Sequence, residues 1–248
     1  MTAGEVTRLW PKPDVTPMEH DAIAQCYPRT EGPTLRVNFV SSIDGAVSID
    51  GYSEPLSSPG DKLVFGTLRM VCDALVVGAG TVRTEGYRAL RLDERRRAWR
   101  TQRGLSPYPV MVVVSGSLDL DPAQPVFADA PVRPIIVTHS LAPADRRAAL
   151  GEVADVLAFG TGAIDLTAMV HELHERGATQ LLSEGGPRLF GTLTAADLVD
   201  EVCLTVSPLL AGAGAGRITT GPPAVPRTMS LRHALSADGA LLLRYARS

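Results

Sequence analysis

One stretch of the 248-residue chain, Gln180 to Leu193, constrains the fold more than any other. Leu181 and Leu182 end a short apolar run that is typical of a buried strand. Two glycines and a proline then predict a tight turn, and apolar residues at helical spacing follow from Leu189. Such a junction collects free backbone N–H groups and the positive end of a helix dipole at one point. The stretch therefore predicts a phosphate-binding site.

Glu184 is the unexpected member of this junction, because a carboxylate beside an anion site is unfavourable unless it faces elsewhere. One interpretation is that Gly185 to Thr192 hold a cofactor diphosphate while Glu184 turns toward a polar substrate. The other is an ordinary strand–turn–helix junction with an exposed glutamate. The local pattern alone does not separate the two interpretations.

Composition narrows the class of protein. Hydrophobic residues at 45% and charged residues at 21% predict an ordinary globular protein, and a net charge of −3 argues against nucleic acid as the main partner. Cys26, Cys72 and Cys203 lie far apart without zinc or redox spacing, which favours a reducing cytoplasm. No apolar run reaches membrane-spanning length. Met1 to Arg8 lacks the apolar centre of a signal peptide.

Strand and helix patterns alternate from residue 34 to residue 248, which predicts a single domain built on a mixed α/β sheet. Two late strands around Asp238-Gly239 predict a terminal antiparallel hairpin. Residues 1–33 are rich in proline and show no clear periodicity. They predict an extended arm that packs on the body or on a second subunit.

Three other segments carry weaker signals. Gly78 to Arg83 follows a predicted strand, but its sixth position is arginine and its helix opening is weak, so no Rossmann site is expected there. The arginine-rich run from Arg91 to Arg103 is typical of a solvated helix face or a mobile loop. His171 and His174 share a helix face, which an exposed amphipathic surface explains, and no metal site is predicted.

Four pieces of sequence carry a family resemblance through their order: Ser42 to Gly45, Arg69 with Asp73 to Val82, Glu184 to Leu189, and Leu198 to Glu201 leading to Pro208. In this order they resemble the reductase domain of riboflavin biosynthesis, which has the dihydrofolate-reductase-like fold. The resemblance runs from about Leu35 to the C-terminus. It implies a three-layer α/β/α fold, a mostly parallel sheet and a homodimer. The zinc deaminase signature of the usual partner domain is absent, so we expect a reductase domain standing alone.

The resemblance also implies an activity and a set of contacts. The activity is NADPH-dependent transfer of hydride to C1′ of the ribose in 5-amino-6-(5-phosphoribosylamino)uracil. The implied substrate contacts are Ser53, Arg69, Glu184, and either Arg88 or Arg91. The implied cofactor contacts are Val40, Thr81, Glu85, Ser115, Gly185, Gly186, Pro187, Arg188, Leu189, Phe190, Gly191 and Thr192.

The departures from the family pattern surround the nicotinamide and the substrate rather than the diphosphate. Asn38 stands where lysine is common, Pro55 where tryptophan is common, and Glu85-Gly86-Tyr87 replaces acid-acid-proline. Asp44 and Glu85 are candidates for assisting proton transfer, and an equal alternative is that Asp44 only shapes a turn. Reduction of dihydrofolate or another pterin, and a catalytically silent NADPH-binding protein, are the alternatives left open.

Overall fold

The structure is a computed structural model that describes residues 4–248. Its strands are β1 (Thr7–Trp10), β2 (Thr34–Ser42), β3 (Ala74–Gly78), β4 (Val110–Val114), β5 (Ile135–Thr138), β6 (Asp155–Ala158), β7 (Gln180–Ser183), β8 (Glu201–Ser207), β9 (Met229–Ala237) and β10 (Ala240–Arg247). Its helices are α1 (His20–Cys26), α2 (Pro59–Val71), α3 (Ala79–Thr84), α4 (Glu94–Thr101), α5 (Pro125–Ala128), α6 (Ala144–Gly151), α7 (Leu166–Glu175) and α8 (Pro187–Ala195). A short 3-10 helix, Glu54–Leu56, precedes α2.

All ten of these strands join one sheet in the order β1-β9-β10-β8-β2-β7-β3-β4-β5-β6. From β8 to β6 every neighbouring pair is parallel, whereas β1, β9, β10 and β8 pair antiparallel. Strands β9 and β10 are joined at Asp238-Gly239, as the turn signal predicts. The predicted mixed, mostly parallel sheet with a C-terminal hairpin is confirmed.

Two hydrophobic cores lie on the two faces of the sheet. One contains buried side chains of α1 to α6, such as Ile23 and Leu68. The other contains side chains of α7 and α8, such as Met169 and Leu193. The central strands β3 and β7 contribute to both cores, because their side chains alternate between the faces and are buried on each. The molecule therefore has the predicted three layers.

The helix carrying Arg69 begins where its sequence predicts. The side chain of Ser58 accepts a hydrogen bond from the backbone N–H of Asp61, which caps α2. Before α2, Ile49 and Tyr52 form one antiparallel bridge across the Asp50-Gly51 turn. None of the helices in residues 4–248 is long and apolar enough to cross a membrane.

The segment before Pro33 has more regular structure than the sequence predicts. It contributes β1, which pairs with β9 at the sheet edge, and α1, whose Ile23 is fully buried in the first core. The expectation of an arm without periodic elements is wrong for these residues, because α1 is too short for its periodicity to stand out between prolines. The boundary near Pro33 stays a prediction.

The arginine-rich run is not wholly solvated. Arg100 is 1% exposed, and its guanidinium donates to the backbone oxygens of Ser106, Met70 and Cys72. It thereby satisfies carbonyls at the end of α2 that have no partner within the helix. Charge patterning cannot identify such a residue, because the neighbouring Arg95 is exposed and has the same local composition.

Candidate active site

A cleft of about 1210 Å³ opens at the carboxyl ends of the parallel strands. Its walls come from β2, β3, β4 and β7 together with the segments that follow them, and from one side of α2. In open α/β sheets, ligands bind at this edge because several loops and helix N-termini meet there. The strand order alone therefore places a binding site here.

The first turn of α8 forms one wall of the cleft. Gly186 is the N-cap residue, Pro187 has no N–H, and the N–H groups of Arg188 and Leu189 have no carbonyl of the same helix to bond. A Cβ atom added to Gly186 would lie 2.6 Å from the hydroxyl oxygen of Thr81. The glycine is thus required for close packing between α8 and α3, and it leaves the backbone open to a ligand.

Not all of the predicted diphosphate residues face this cleft. Gly186, Pro187, Arg188, Leu189 and Thr192 line it. The other three have packing roles. Gly185 has a φ of 78° and contacts Phe39, Phe190 stacks on Phe39 at 5.0 Å between ring centroids, and Gly191 packs against the backbone of Thr220.

The segment after β3 also belongs to the cleft. Gly78 donates its N–H to the carbonyl of Gly185 at 2.6 Å, and Ala79 to Thr84 form the short helix α3. Gly78, Gly80 and Thr81 line the cleft beside the start of α8. The expectation of a weak helix opening here is wrong, since the turn after β3 leads directly into α3. The segment after β3 lies in the cleft without a Rossmann fingerprint. The parallel strands β3 and β7 end at the same edge of the sheet, which brings Gly78 to Gly80 close to Gly185 and Gly186.

Arg69, Glu184 and Tyr87 form a tight cluster in the cleft. Arg69 donates from Nε and Nη2 to the two oxygens of Glu184 at 2.7 and 2.6 Å, and the hydroxyl of Tyr87 donates to Glu184 Oε2 at 2.5 Å. The carboxylate is 2% exposed. The guanidinium also lies 4.1 Å from the ring centroid of Phe65. Such a bidentate pair fixes both side chains in orientation as well as in position.

The pKa values follow from this burial and pairing. Burial disfavours the charge of Arg69, but the adjacent carboxylate of Glu184 outweighs it and raises the pKa of the guanidinium. Burial first, and then the charge of Glu184, raise the pKa of Tyr87 well above its ordinary value. Tyr87 is therefore a neutral hydrogen-bond donor at neutral pH.

Four other predicted residues line the cleft. Glu85 accepts a hydrogen bond at Oε1 from the backbone N–H of Ser53 at 3.0 Å, which joins the end of α3 to the turn before α2. Val40 stands near the end of β2. Ser115 follows β4, and its hydroxyl accepts from the N–H of Leu118. The structure thus brings together residues that lie far apart in the sequence.

Two predicted residues lie outside the cleft. The guanidinium of Arg91 donates to the carbonyl of Asp129 at 2.6 Å on the surface, whereas Arg88 does line the cleft. Asp44 lies at a separate depression formed with Gly212 to Ile218. Its carboxylate accepts from Ser42 and from the N–H groups of Ala211 and Gly212, which lower the pKa of Asp44 to about 2.

Sequence reasoning missed two residues of the cleft. Tyr87 was noted only as a departure, and its contact with Glu184 depends on a turn that local pattern does not define. Asp61 was not predicted as a site residue, yet Asp61, Phe65 and Arg69 all line the cleft. Their spacing of four residues places them along one face of the helix, and this spacing was a signal available in the sequence. Within the described residues no three His, Cys, Asp or Glu side chains form a group able to hold a metal ion.

Comparison with known proteins identifies a family and several relatives. The family model of the RibD C-terminal domain matches residues 33–243. Over 73% of this chain, the sequence is 29% identical to a 2,5-diamino-6-ribosylamino-4(3H)-pyrimidinone 5′-phosphate reductase of Archaeoglobus fulgidus, of which it covers 82%, and 31% identical to one of Methanothermobacter thermautotrophicus, of which it covers 80%. A crystal structure of a pyrimidine reductase-like protein of Corynebacterium diphtheriae superposes with a TM-score of 0.80 at 25% identity, covering 87% of this chain and 92% of the other.

The contacts of Asp44 generate a prediction that separates its two interpretations. Asp44→Asn should accelerate amide hydrogen exchange at Ala211 and Gly212, because the amide oxygen is a weaker acceptor than the carboxylate. Asp121→Asn, which changes an exposed acid in another turn, should leave these amides unchanged. In the unsubstituted chain, the lowered pKa means that protection should fall as the pH drops from 3.8 toward about 2. Unchanged exchange in Asp44→Asn would contradict the assignment of Asp44 to the loop.

Proposed function

This chain belongs to the RibD C-terminal domain family, and we propose that it reduces a phosphorylated ribosylaminopyrimidine with NADPH. It is an oxidoreductase of the pyrimidine reductase type, in agreement with its curated relatives. The proposed substrate is 5-amino-6-(5-phosphoribosylamino)uracil or its 2-amino counterpart, 2,5-diamino-6-ribosylamino-4(3H)-pyrimidinone 5′-phosphate. The hydride is transferred to C1′ of the ribose.

The observation that supports the cofactor most strongly is the first turn of α8 beside the glycine segment of α3. The N–H groups of Arg188 and Leu189 and the helix dipole favour an anion at this point, and no side chain of Gly186 obstructs it. We assign the diphosphate of NADPH to this turn. The cofactor supplies a hydride donor, so the chain has to hold donor and acceptor in one dry cleft.

The remaining cofactor contacts follow from the direction of the cleft. Thr81 lies within α3 and Glu85 directly follows it, Val40 lies near the end of β2, and Ser115 follows β4. We assign the nicotinamide to the Val40 side and the adenosine to the Ser115 side. Glu85 holds the Ser53 turn through its hydrogen bond, which places both residues at the border between cofactor and substrate.

The substrate side is organised by Arg69. Its Nε and one N–H of Nη2 are used by Glu184, so the Nη1 edge remains for a phosphate group. The Arg69 side chain is 24% exposed and lines the cleft. Arg88 lines the same cleft and takes the position of the second cation in preference to Arg91, which bonds to the backbone of Asp129. We assign Ser53, Arg69, Arg88 and Glu184 to the substrate.

The direct test of the function is a spectrophotometric assay of NADPH oxidation with each of the two phosphorylated pyrimidines. We expect oxidation that depends on substrate, with formation of the ribityl product detected by mass. Dihydrofolate in place of the pyrimidines distinguishes a pterin reductase. NADPH binding without oxidation of any of the three would leave only the silent binding protein and would contradict the proposal.

The cofactor assignment predicts a specific effect at Gly186. Gly186→Ala introduces a Cβ atom 2.6 Å from Thr81 and beside the proposed diphosphate, so at least one charged hydrogen bond should be lost. Such a loss is about 1.5–3 kcal/mol, or about a 10- to 100-fold rise in the Kd for NADPH, measured by calorimetry. Gly151→Ala on α6 is the matched control, since a Cβ atom there meets nothing within 4 Å. Equal affinities of the two variants for NADPH would contradict the assignment of the diphosphate to the first turn of α8.

We further propose a homodimer formed through the open face of the C-terminal strands. Val206, Leu204, Leu241, Leu243 and Tyr245 form an apolar patch on β8 and β10 in which each side chain is half-buried or exposed. Contiguous apolar patches of this kind mark protein interfaces. A second copy fits, because a two-fold axis matches such a patch to itself.

Light scattering tests the interface. At micromolar concentration the unsubstituted protein should have twice the mass of the 26.3 kDa chain, and Leu243→Asp should yield the monomer because it buries an unpaired charge in the patch. Leu141→Asp places the same change at an exposed leucine elsewhere and should leave the dimer intact. A monomer in the unsubstituted protein would refute the proposed dimer.

A further inference from the structure

Asp61 is a buried acid in the cleft to which the proposed function gives no role. It is 5% exposed, it lies in the first turn of α2, and it lines the cleft together with Ser57. No salt bridge within residues 4–248 includes it. A carboxylate buried to this degree is costly unless hydrogen bonds and helix dipoles offset its desolvation.

The partners of Asp61 leave half of its acceptor capacity free. Thr205 donates its hydroxyl to Oδ1 at 2.6 Å, and Ser57 donates its hydroxyl to Oδ2 at 2.5 Å. A carboxylate has about four lone-pair sites, two on each oxygen. Each oxygen of Asp61 therefore keeps about one acceptor site, and the residue lines the cleft. This arrangement suits a ligand that presents two parallel N–H donors.

Glu184 does not offer the same pair of sites. Its Oε2 already accepts from both Arg69 and Tyr87, and its Oε1 accepts from Arg69. About one site remains on this carboxylate, which is enough for one substrate N–H but not for a bidentate contact. The structure thus gives the two acids of the cleft different capacities. Glu184 orients Arg69, and Asp61 is the acid that can accept a pair of donors.

The two residues also lie at different places along the cleft. Asp61 and Arg69 are separated by two intervals of four residues on one face of α2, which corresponds to about 12 Å along the helix axis. A phosphate bound by Arg69 therefore leaves Asp61 near the far end of a pyrimidine that carries a phosphorylated five-carbon chain. In such a molecule the sugar is attached at C6, and the end of the ring opposite C6 consists of N3 and its two neighbouring carbons.

We propose that Asp61 is a specificity-determining residue that binds the N3–H and 2-amino groups of a 2-amino-4-oxopyrimidine. This inference rests on the proposed function and deepens it by selecting between its two substrates. The 2-amino compound presents two adjacent donors to the carboxylate. The uracil compound presents N3–H beside carbonyl oxygens, so the second carboxylate oxygen of Asp61 faces another acceptor and gains no hydrogen bond from the ligand. Two acceptors that face each other in a buried site repel, which disfavours that ligand.

The test compares kcat/KM for the two phosphorylated pyrimidines in the unsubstituted enzyme and in Asp61→Asn. The unsubstituted enzyme should prefer the 2-amino compound by about 10- to 100-fold, the effect of one hydrogen bond to a charged group. In Asp61→Asn the side chain offers one acceptor and one donor. The ratio of kcat/KM for the 2-amino compound to kcat/KM for the uracil compound should therefore fall toward 1. Asp165→Asn, at the first turn of α7, is the matched control for an acid at a helix N-terminus and should keep the preference.

The possible results separate this inference from the proposed function. Turnover of neither pyrimidine refutes the proposed function. Turnover of both with equal kcat/KM, or a preference unchanged in Asp61→Asn, refutes only the role of Asp61 and indicates a structural bond to Thr205. Dihydrofolate has the same donor edge and no phosphate. Two results together would refute the pyrimidine as the substrate while supporting the contact of Asp61 with the donor edge. The first is faster reduction of dihydrofolate than of the 2-amino compound. The second is loss, in Asp61→Asn, of the preference for the 2-amino compound over the uracil compound.

A binding measurement keeps the inference testable if Asp61→Asn does not fold. Competition calorimetry on the unsubstituted enzyme with NADPH can compare 2,6-diaminopyrimidin-4(3H)-one with 6-aminouracil, which differ in the same edge. The first compound should bind at least tenfold more tightly. Equal affinity of the two compounds would overturn the inference without any substituted protein.

Discussion

The ion pair between Arg69 and Glu184 is the contact on which the site depends. A carboxylate that is 2% exposed requires a partner, because removal of one member of a buried pair leaves an uncompensated charge. Here the pair joins α2 to the end of β7, and Tyr87 joins the segment after α3 to the same oxygen. Three walls of the cleft are therefore positioned relative to one another by a single carboxylate. The orientation of α2 fixed in this way also determines where Asp61 lies.

The two glycines that follow Glu184 bring three elements into close contact. Gly185 approaches the ring of Phe39 on β2, and Gly186 approaches Thr81 on α3, both at distances that a larger residue would not permit. These contacts present the first turn of α8 to the cleft while Glu184, two residues before the N-cap, stays paired with Arg69. An anion site and an acid can thus be close in the sequence, since the ion pair offsets the charge of the acid.

Much of this architecture could be predicted from the sequence. The buried strands, the N-cap at Ser58 and the C-terminal hairpin were predictable because each has a local cause, namely apolar runs, capping chemistry or turn residues. Helix α1 and the burial of Arg100 were not, because both are decided by tertiary contacts that local composition does not encode. For the same reason, the cluster of Arg69, Glu184 and Tyr87 could not be predicted from local sequence. Arg69 and Glu184 were each predicted to contact substrate, but their pairing across 115 positions and the role of Tyr87 depend on the sheet order.

The central claim is that this cleft holds NADPH and a ribosylaminopyrimidine so that hydride passes to C1′ of the sugar. The most direct measurement uses NADPH deuterated at both C4 positions in a single turnover, followed by mass spectrometry of the product fragments. The account predicts one deuterium in the product, located on the ribityl C1′. Deuterium on the pyrimidine ring, or a product formed without deuterium, would contradict it.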